Sequence, residues 1–305
     1  MSQFLQQLLN GTVLGATFGL IALGYTMVYG IIQLINFAHG EVVMVGAFAG
    51  LSAYRYLLPD SLVDNTAVAL PVILLCAAAA ALVTAVLLER LAYRPLRNAP
   101  RLAPLITAIG MSLFLQEAVR LFYPGGKSQL PFPRLVSSRT LNLGDVTVPW
   151  VSIFTLVLAF SLMVALDLFI NRTRVGQAMR ATAQDPDTAR LMGVNTDLVI
   201  VITFAIGGAL AGLAGVAQGM RFVAIDFRIG FTAGLKAFTA AVLGGIGNIR
   251  GAMLGGLMIG IVDALATQYF PGHGAWKDVW IFVVLILVLT VRPQGLLGER
   301  VATRA

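Results

Sequence analysis

Apolar runs of bilayer-crossing length alternate with short polar breaks along the whole chain. The runs cover residues 4–31, 42–58, 68–88, 102–122, 150–170, 198–220, 233–247, 252–270 and 275–291. A helix needs about 20 apolar residues to cross a hydrocarbon core about 30 Å thick. The pattern predicts an all-α, polytopic transmembrane helix bundle of about eight to ten spans, with broken or re-entrant segments. Residues 1–38 hold no Lys, Arg, His, Asp or Glu. One helix of that length, rising about 1.5 Å per residue, overshoots the core, so the first span must give way to something else. The polar stretch Asn36-Phe37-Ala38-His39-Gly40-Glu41 is that break, either a turn at the interface or a half-helix that dips in and returns. Small residues recur at four-residue spacing at Gly11, Gly15 and Gly19, at Gly208 and Gly212, and at Gly256 and Gly260. In lipid this spacing lets backbones approach closely, which is favoured here over a Gly-lined pore. The longest loop, 123–149, is punctuated by Pro and Gly and reads as a surface cap or short hairpin. No loop is large enough for a soluble unit, so a single transmembrane domain over residues 1–305 is expected.

Composition supports lipid as the solvent. Apolar residues make up 58% of the chain and charged residues 11%, against about 45–50% and about 25% in soluble domains, too few to cover a wet surface. The net charge of +7 does not argue for nucleic acid, because Lys and Arg collect in the cytoplasmic loops of membrane proteins. Arg90, Arg94, Arg97, Arg101, Arg172, Arg174, Arg180, Arg190, Arg250, Arg292, Arg300 and Arg304 fall in one set of loops; Lys127, Arg134, Arg139, Arg221, Arg228 and Lys277 fall in the alternate set. Twelve against six places the C-terminus in the cytoplasm. The lack of an early basic stretch differs from a signal peptide, so the first segment is expected to stay in the mature chain. Cys76, His39 and His273 alone provide neither a disulfide framework nor a zinc set.

Catalytic motifs fail on spacing. Gly125-Gly126-Lys127-Ser128 resembles the end of a phosphate loop, but the earlier Gly it requires is Leu121. Gly245 to Gly251 does not fit a dinucleotide fingerprint and follows no strand. Two features survive. The first is a pair of interruptions, at 36–41 and 244–251, which points to a transport path, or to ordinary interfacial turns. The second is the segment 177–197, where Asp185 suits an N-cap, Pro186 the first helical position, Asp187 the positive helix end and Gly193 the stop. That predicts a helix of about two turns outside the lipid, either a handle for a partner or a solvated loop. Within the spans, Glu117 and Arg120 are placed to pair on one helix. Lys236 and Asp263 are costly alone in lipid and are expected to face the interior near each other.

Four further stretches carry a family resemblance that covers essentially the whole chain. Leu23-Gly24-Tyr25-Thr26-Met27-Val28-Tyr29-Gly30-Ile31, Ile35-Asn36-Phe37-Ala38-His39-Gly40-Glu41, Glu89-Arg90-Leu91-Ala92-Tyr93-Arg94-Pro95 and residues 236–247 look like the LivH-type permease of bacterial branched-chain amino acid ABC importers. A looser similarity to sugar permeases of the same superfamily runs through 189–194 and 207–215. The resemblance implies an inner-membrane subunit that passes Leu, Ile or Val. Its partners would be a second homologous permease, two cytoplasmic ATPases and a periplasmic substrate-binding protein. ATP would be hydrolysed by those partner subunits, with no cofactor on this chain. The resemblance assigns 177–195 as the ATPase-coupling region, including Arg180, Asp185, Pro186, Asp187, Arg190, Leu191, Met192 and Gly193. Polar groups expected near the path are Asn36, His39, Thr107, Ser112 and Asn248, since polar groups in apolar segments need partners. In the competing account Thr107 and Ser112 bond their own helix backbone, and His39 and Glu41 sit at the headgroup boundary. The rival classes are an ABC permease for another small solute such as a sugar, an ion-coupled secondary transporter using Asp263, and an intramembrane enzyme, for which no nucleophile, base or metal set is found.

Overall fold

The computed structural model describes residues 2–298 except Asp64, Asn98, Arg101 and Ser138; Arg101, Arg300 and Arg304 of the charge count thus lie outside the described residues. All nine apolar segments are helical. Helix α1 is Ser2–Ile32, and α2 is His39–Ser52, continued by a π-helical turn Ala53–Leu57. A short helix α3, Asp60–Val63, leads to α4, Thr66–Leu88, extended by π and 3-10 turns to Leu96. Then come α5 (Leu102–Phe122), α6 (Trp150–Arg172), α7 (Arg174–Gln184), α8 (Pro186–Leu191), α9 (Thr196–Phe222), α10 (Ile229–Gly244), α11 (Ile249–Tyr269) and α12 (Lys277–Val291). Among the described residues, six helices (α1, α4, α5, α6, α9 and α11) are long and apolar enough to cross a membrane; α2, α10 and α12 are shorter. Strands are few. In the 123–149 loop, β2 (Thr140–Leu143) and β3 (Val146–Pro149) form the expected hairpin, and β1 (Leu130–Pro131) pairs antiparallel with β4 (Ala224–Ile225).

Side-chain contacts fix which ends lie together. At one end Gln6 donates to the Thr147 carbonyl at 3.0 Å, Arg221 donates to the Asn10 carbonyl at 3.2 Å, and Phe4 packs on Tyr269. At the other end Arg97 pairs with Asp197 at 2.6 Å and Arg250 with Asp167 at 3.1 Å. The described members of the larger basic set gather at this second end. Tracing the chain between the ends gives two series of four helices, α1-α2-α4-α5 and α9-α10-α11-α12, that run in opposite senses with α6 to α8 between them. Their packing is matched: α1 lies on α11 as α9 lies on α4, α2 on α9 as α10 on α1, and α2 on α4 as α10 on α11. This is an inverted-topology repeat, a common plan of membrane transporters.

The repeat extends to single residues. Each long first helix ends in a non-Gly residue with left-handed backbone, Gln33 at φ 52 and Val223 at φ 55. That conformation is rare, above all for a β-branched residue, so the surroundings must impose it. Three and four positions on come Asn36-Phe37 and Asp226-Phe227, and then Gly40 and Gly230. In both breaks the amide three residues on donates to the Asx carbonyl, His39 to Asn36 at 3.0 Å and Ile229 to Asp226 at 3.2 Å. The counterpart of the first interruption is therefore 226–231. The stretch 244–251, expected to be its partner, is instead the turn between α10 and α11, shaped by Gly245 and Gly247 at φ 104 and 99. It is tied down by Leu296 and Leu297 amides donating to the Leu243 and Gly244 carbonyls at 2.9 and 3.0 Å.

Small residues set the helix spacing, as their four-residue rhythm predicts. A methyl group on Gly15 would stand 2.6 Å from Leu257 Cα and one on Gly11 would stand 2.7 Å from Ile261 Cα, so α1 and α11 touch backbone to backbone. Lys236 of α10 meets Asp263 of α11 at 2.5 Å, as expected, and also Asp278 of α12 at 2.9 Å. Glu117 and Arg120 pair at 2.8 Å on α5.

Two outcomes follow from this packing. Gly15→Val forces α1 from α11 and should lower stability by about 1–3 kcal/mol, the usual cost of overpacking, read as a lower unfolding midpoint in detergent; an unchanged midpoint contradicts the close approach. Lys236→Met leaves Asp263 buried without its partner and should cost about 3–5 kcal/mol, whereas Lys236→Met combined with Asp263→Leu should recover most of the loss. Equal losses in the single and double variants would mean that the pair does not carry the contact.

Candidate functional site

The two breaks bring α2 and α10 together at their first turns, inside the bundle. His39 is packed against Gly24 of α1 and lies close to the Gly207 carbonyl near the middle of α9. The chain thus leaves α1 at one end and climbs back before α2 begins. Gly40 and Gly230 face each other, and a side chain on either would strike the other's carbonyl oxygen. Only glycine permits two helix starts this close. Neither start has a side-chain cap. By contrast α4, α7, α8, α9 and α11 are capped by Asn65, Thr173, Asp185, Asn195 and Asn248. The first amides are met from the breaks themselves, His39 and Ile229 by the Asn36 and Asp226 carbonyls and Arg228 by Asp226 Oδ1 at 2.9 Å, so both helix starts point their positive dipole ends into the interior without an N-cap side chain.

Glu41 stands in the first turn of α2 at this junction. It is buried inside the protein. Its Oε1 accepts from Ser112 Oγ at 3.1 Å and Gln116 Nε2 at 2.9 Å, both on α5. Its Oε2 has no hydrogen-bond partner among the described residues.

Two cavities flank the junction. The larger, about 80 Å³, lies between α5 and α10 and is lined by apolar groups such as Ile109, Leu113, Phe231 and Leu235, with Ser112 as a polar group. The smaller, about 10 Å³, is lined by Tyr29, Ile35, Asn36, Ala241 and Ile246. Tyr25 and Phe238 line both. Phe238 packs on Tyr25 and Phe37 with ring centroids 5.9 and 5.6 Å apart, so these aromatics form the partition between the cavities.

The candidate path residues divide. Asn36 is buried, lines the smaller cavity and accepts from the Tyr93 hydroxyl at 2.8 Å. Ser112 lines the larger cavity. His39 is buried behind the partition, edge-on to Tyr25 at 4.8 Å. Thr107 is on α5 but does not line either cavity. Asn248 caps α11 through Gly251 N–H at 3.0 Å and donates to the Leu297 carbonyl at 2.9 Å, so its amide is engaged away from the junction. Sequence reasoning missed Tyr25, Phe238 and the second break. The available signal was the recurrence of an Asx-Phe-x-x-Gly pattern.

The segment assigned to coupling forms a compact knob at the other end. Asp185 accepts from the Asp187 and Thr188 amides at 3.0 and 3.1 Å, Pro186 opens α8, and Gly193 at φ 86 follows its end. Arg190 donates to Thr196 Oγ1 at 2.7 Å and pairs with Asp187 at 3.6 Å, while Arg180 donates to Asn171 at 2.7 Å. Leu191 and Met192 are 88% and 80% exposed, an apolar tip held by polar bonds. Nearby, Arg97 bridges the buried Glu89 and Asp197, tying α4 to α9.

Comparison with known proteins supplies the family. The family model described as branched-chain amino acid transport system / permease component matches residues 7–289. The high-affinity branched-chain amino acid transport system permease protein BraD of Pseudomonas aeruginosa is 47% identical over 302 residues, covering 97% of this chain and 96% of that protein. The corresponding LivH proteins of Escherichia coli K12 and Salmonella typhimurium are each 46% identical over 301 residues, covering 97% of this chain and 96% of theirs. With a family match over nearly its whole length and almost half its residues shared with these relatives, the chain belongs to the branched-chain amino acid transport permease family and is a multi-pass membrane protein.

Proposed function

We propose that the chain is the membrane-spanning permease subunit of an ATP-driven importer and passes leucine, isoleucine or valine across a bacterial inner membrane. The observation that carries the path is the junction of two uncapped helix starts beside a buried carboxylate, between two cavities parted by Tyr25, Phe37 and Phe238. Broken helices are tolerated at membrane depth where they are buried in protein or line a cavity. A larger apolar chamber suits a branched aliphatic side chain, and the partition keeps the two chambers from joining.

The end that holds α7 and α8 faces the cytoplasm with the C-terminus, in line with its basic residues. The exposed tip at Leu191 and Met192 is the contact for the ATPases, which hydrolyse ATP while this chain converts their closure into alternating access. Partners are a homologous second permease, two ATPases and a periplasmic binding protein that docks at the hairpin end. Ile109, Leu113 and Phe231 of the larger cavity are exposed, which fits a cleft completed by the second permease. Asp263, the carboxylate expected to serve an ion-coupled mechanism, is held by Lys236 at 2.5 Å.

In liposomes holding the permeases and ATPases, with binding protein outside, labelled leucine should enter only when the ATPases are supplied with ATP, and ribose and glutamate should not. Uptake that persists without ATP hydrolysis and collapses with an ion gradient contradicts the reading. Met192→Asp alters an exposed tip, so the unfolding midpoint should move by no more than about 2 °C. ATP-driven uptake should fall roughly tenfold or more through loss of an apolar anchor. Unchanged uptake would remove the coupling assignment.

A further inference from the structure

The junction contains one group whose chemistry is unfinished. Glu41 is buried, and both of its donors, Ser112 and Gln116, reach the same oxygen. The other oxygen, Oε2, points at Gly230 and would stand 2.9 Å from a methyl group placed there. Among the described residues no cation pairs with it: Lys236 is held by Asp263 and Asp278, and Arg120 by Glu117. Around it are Tyr25 of α1, Ser112 and Gln116 of α5 and the first turn of α10 at Gly230. A carboxylate with a free oxygen at membrane depth is costly and marks a place where a partner arrives.

The arriving group must be small, cationic and able to enter when α10 draws back from α2. Beside Glu41 lie the start of α10, whose positive dipole end favours an anion, and the apolar chamber of Ile109, Leu113, Phe231 and Leu235. One ligand carries all three complements at the required closeness: an α-amino acid zwitterion with an aliphatic side chain. We propose that Glu41 is the ammonium site of the path. Its free Oε2 takes the substrate ammonium, the Gly230 and Phe231 amides at the start of α10, beside the chamber, take the carboxylate, and the chamber takes the side chain. With α2 and α10 closed together, as here, Gly230 occupies the approach to Oε2, so the site forms only on separation. This assignment rests on the importer reading and names how that importer holds its substrate in transit.

The test compares wild type, Glu41→Gln and Glu41→Asp in the complete transporter reconstituted with its binding protein. Gln keeps the length and the acceptor for Ser112 and Gln116 and removes only the charge; Asp keeps the charge. Glu41→Gln should co-purify with its partners and retain ATP hydrolysis stimulated by leucine-loaded binding protein to within about twofold, while labelled leucine uptake falls roughly tenfold or more, the scale of one charge-assisted hydrogen bond. Glu41→Asp should restore most of that uptake. Uptake by Glu41→Gln within about twofold of wild type, or uptake and ATP hydrolysis lost together in both variants, overturns the ammonium site and leaves leucine import standing. Failure of the wild-type transporter to take up leucine removes the importer reading and this assignment with it.

Discussion

A backbone that leaves a helix inside a bilayer must find partners for its polar groups, since each one left bare in hydrocarbon costs several kcal/mol. This chain meets that constraint twice, at residues 33–38 and 223–228. In both places the helix is stopped by a left-handed residue, the chain turns through an Asx-Phe pair, and a new helix starts at depth. Asn36 is held by Tyr93 from α4, and the second break is held by the β1–β4 pairing, with the Phe132 amide donating to the Val223 carbonyl at 3.0 Å. Everything at the junction follows from these two solutions. The facing glycines allow the starts to touch, the helix dipole of α10 points its positive end inward, and Glu41 supplies the opposite charge.

The inverted repeat gives this arrangement a mechanical meaning. Two helices that begin at the same depth and run to opposite ends meet where neither membrane face is favoured by the fold. In the proposed transport cycle α10 shifts against α2, opening the junction toward one chamber and closing it toward the other. Because Lys236 joins α10 to α11 and α12, and α11 touches α1 through backbone, such a shift carries these helices with α10.

Much of the fold was legible in the chain because lipid imposes a plain code. Apolar length located nine of the twelve described α-helices, the Gly rhythm located the α1–α11 contact, caps located α8, and the cost of isolated charge located Lys236 and Asp263. The site was harder. Polarity singled out Asn36 and Ser112, which do line the cavities, but also Asn248, whose amide caps a helix, and Thr107, which lines neither cavity. Glu41 was assigned to the headgroups in one account because a carboxylate near an apolar run usually marks an interface; only the returning chain puts it inside. Tyr25 and Phe238 stand in stretches that carry the family resemblance, but no polar or charge pattern singles them out as a pair until the two breaks bring them together. The second break was missed because 223–228 reads as a loop between spans, and its likeness to 33–38 is confined to a few positions.

The central claim is that substrate passes where α2 and α10 meet, past the Phe37–Phe238 contact. Cys76 is the sole cysteine, so a Cys76→Ser background allows Phe37→Cys and Phe238→Cys to be joined by a short thiol cross-linker across the partition. Cross-linking should stop ATP-driven leucine uptake by the reconstituted transporter, and cleaving a reducible linker should restore it. Uptake that continues at the uncross-linked rate with the two positions fully joined would contradict the account.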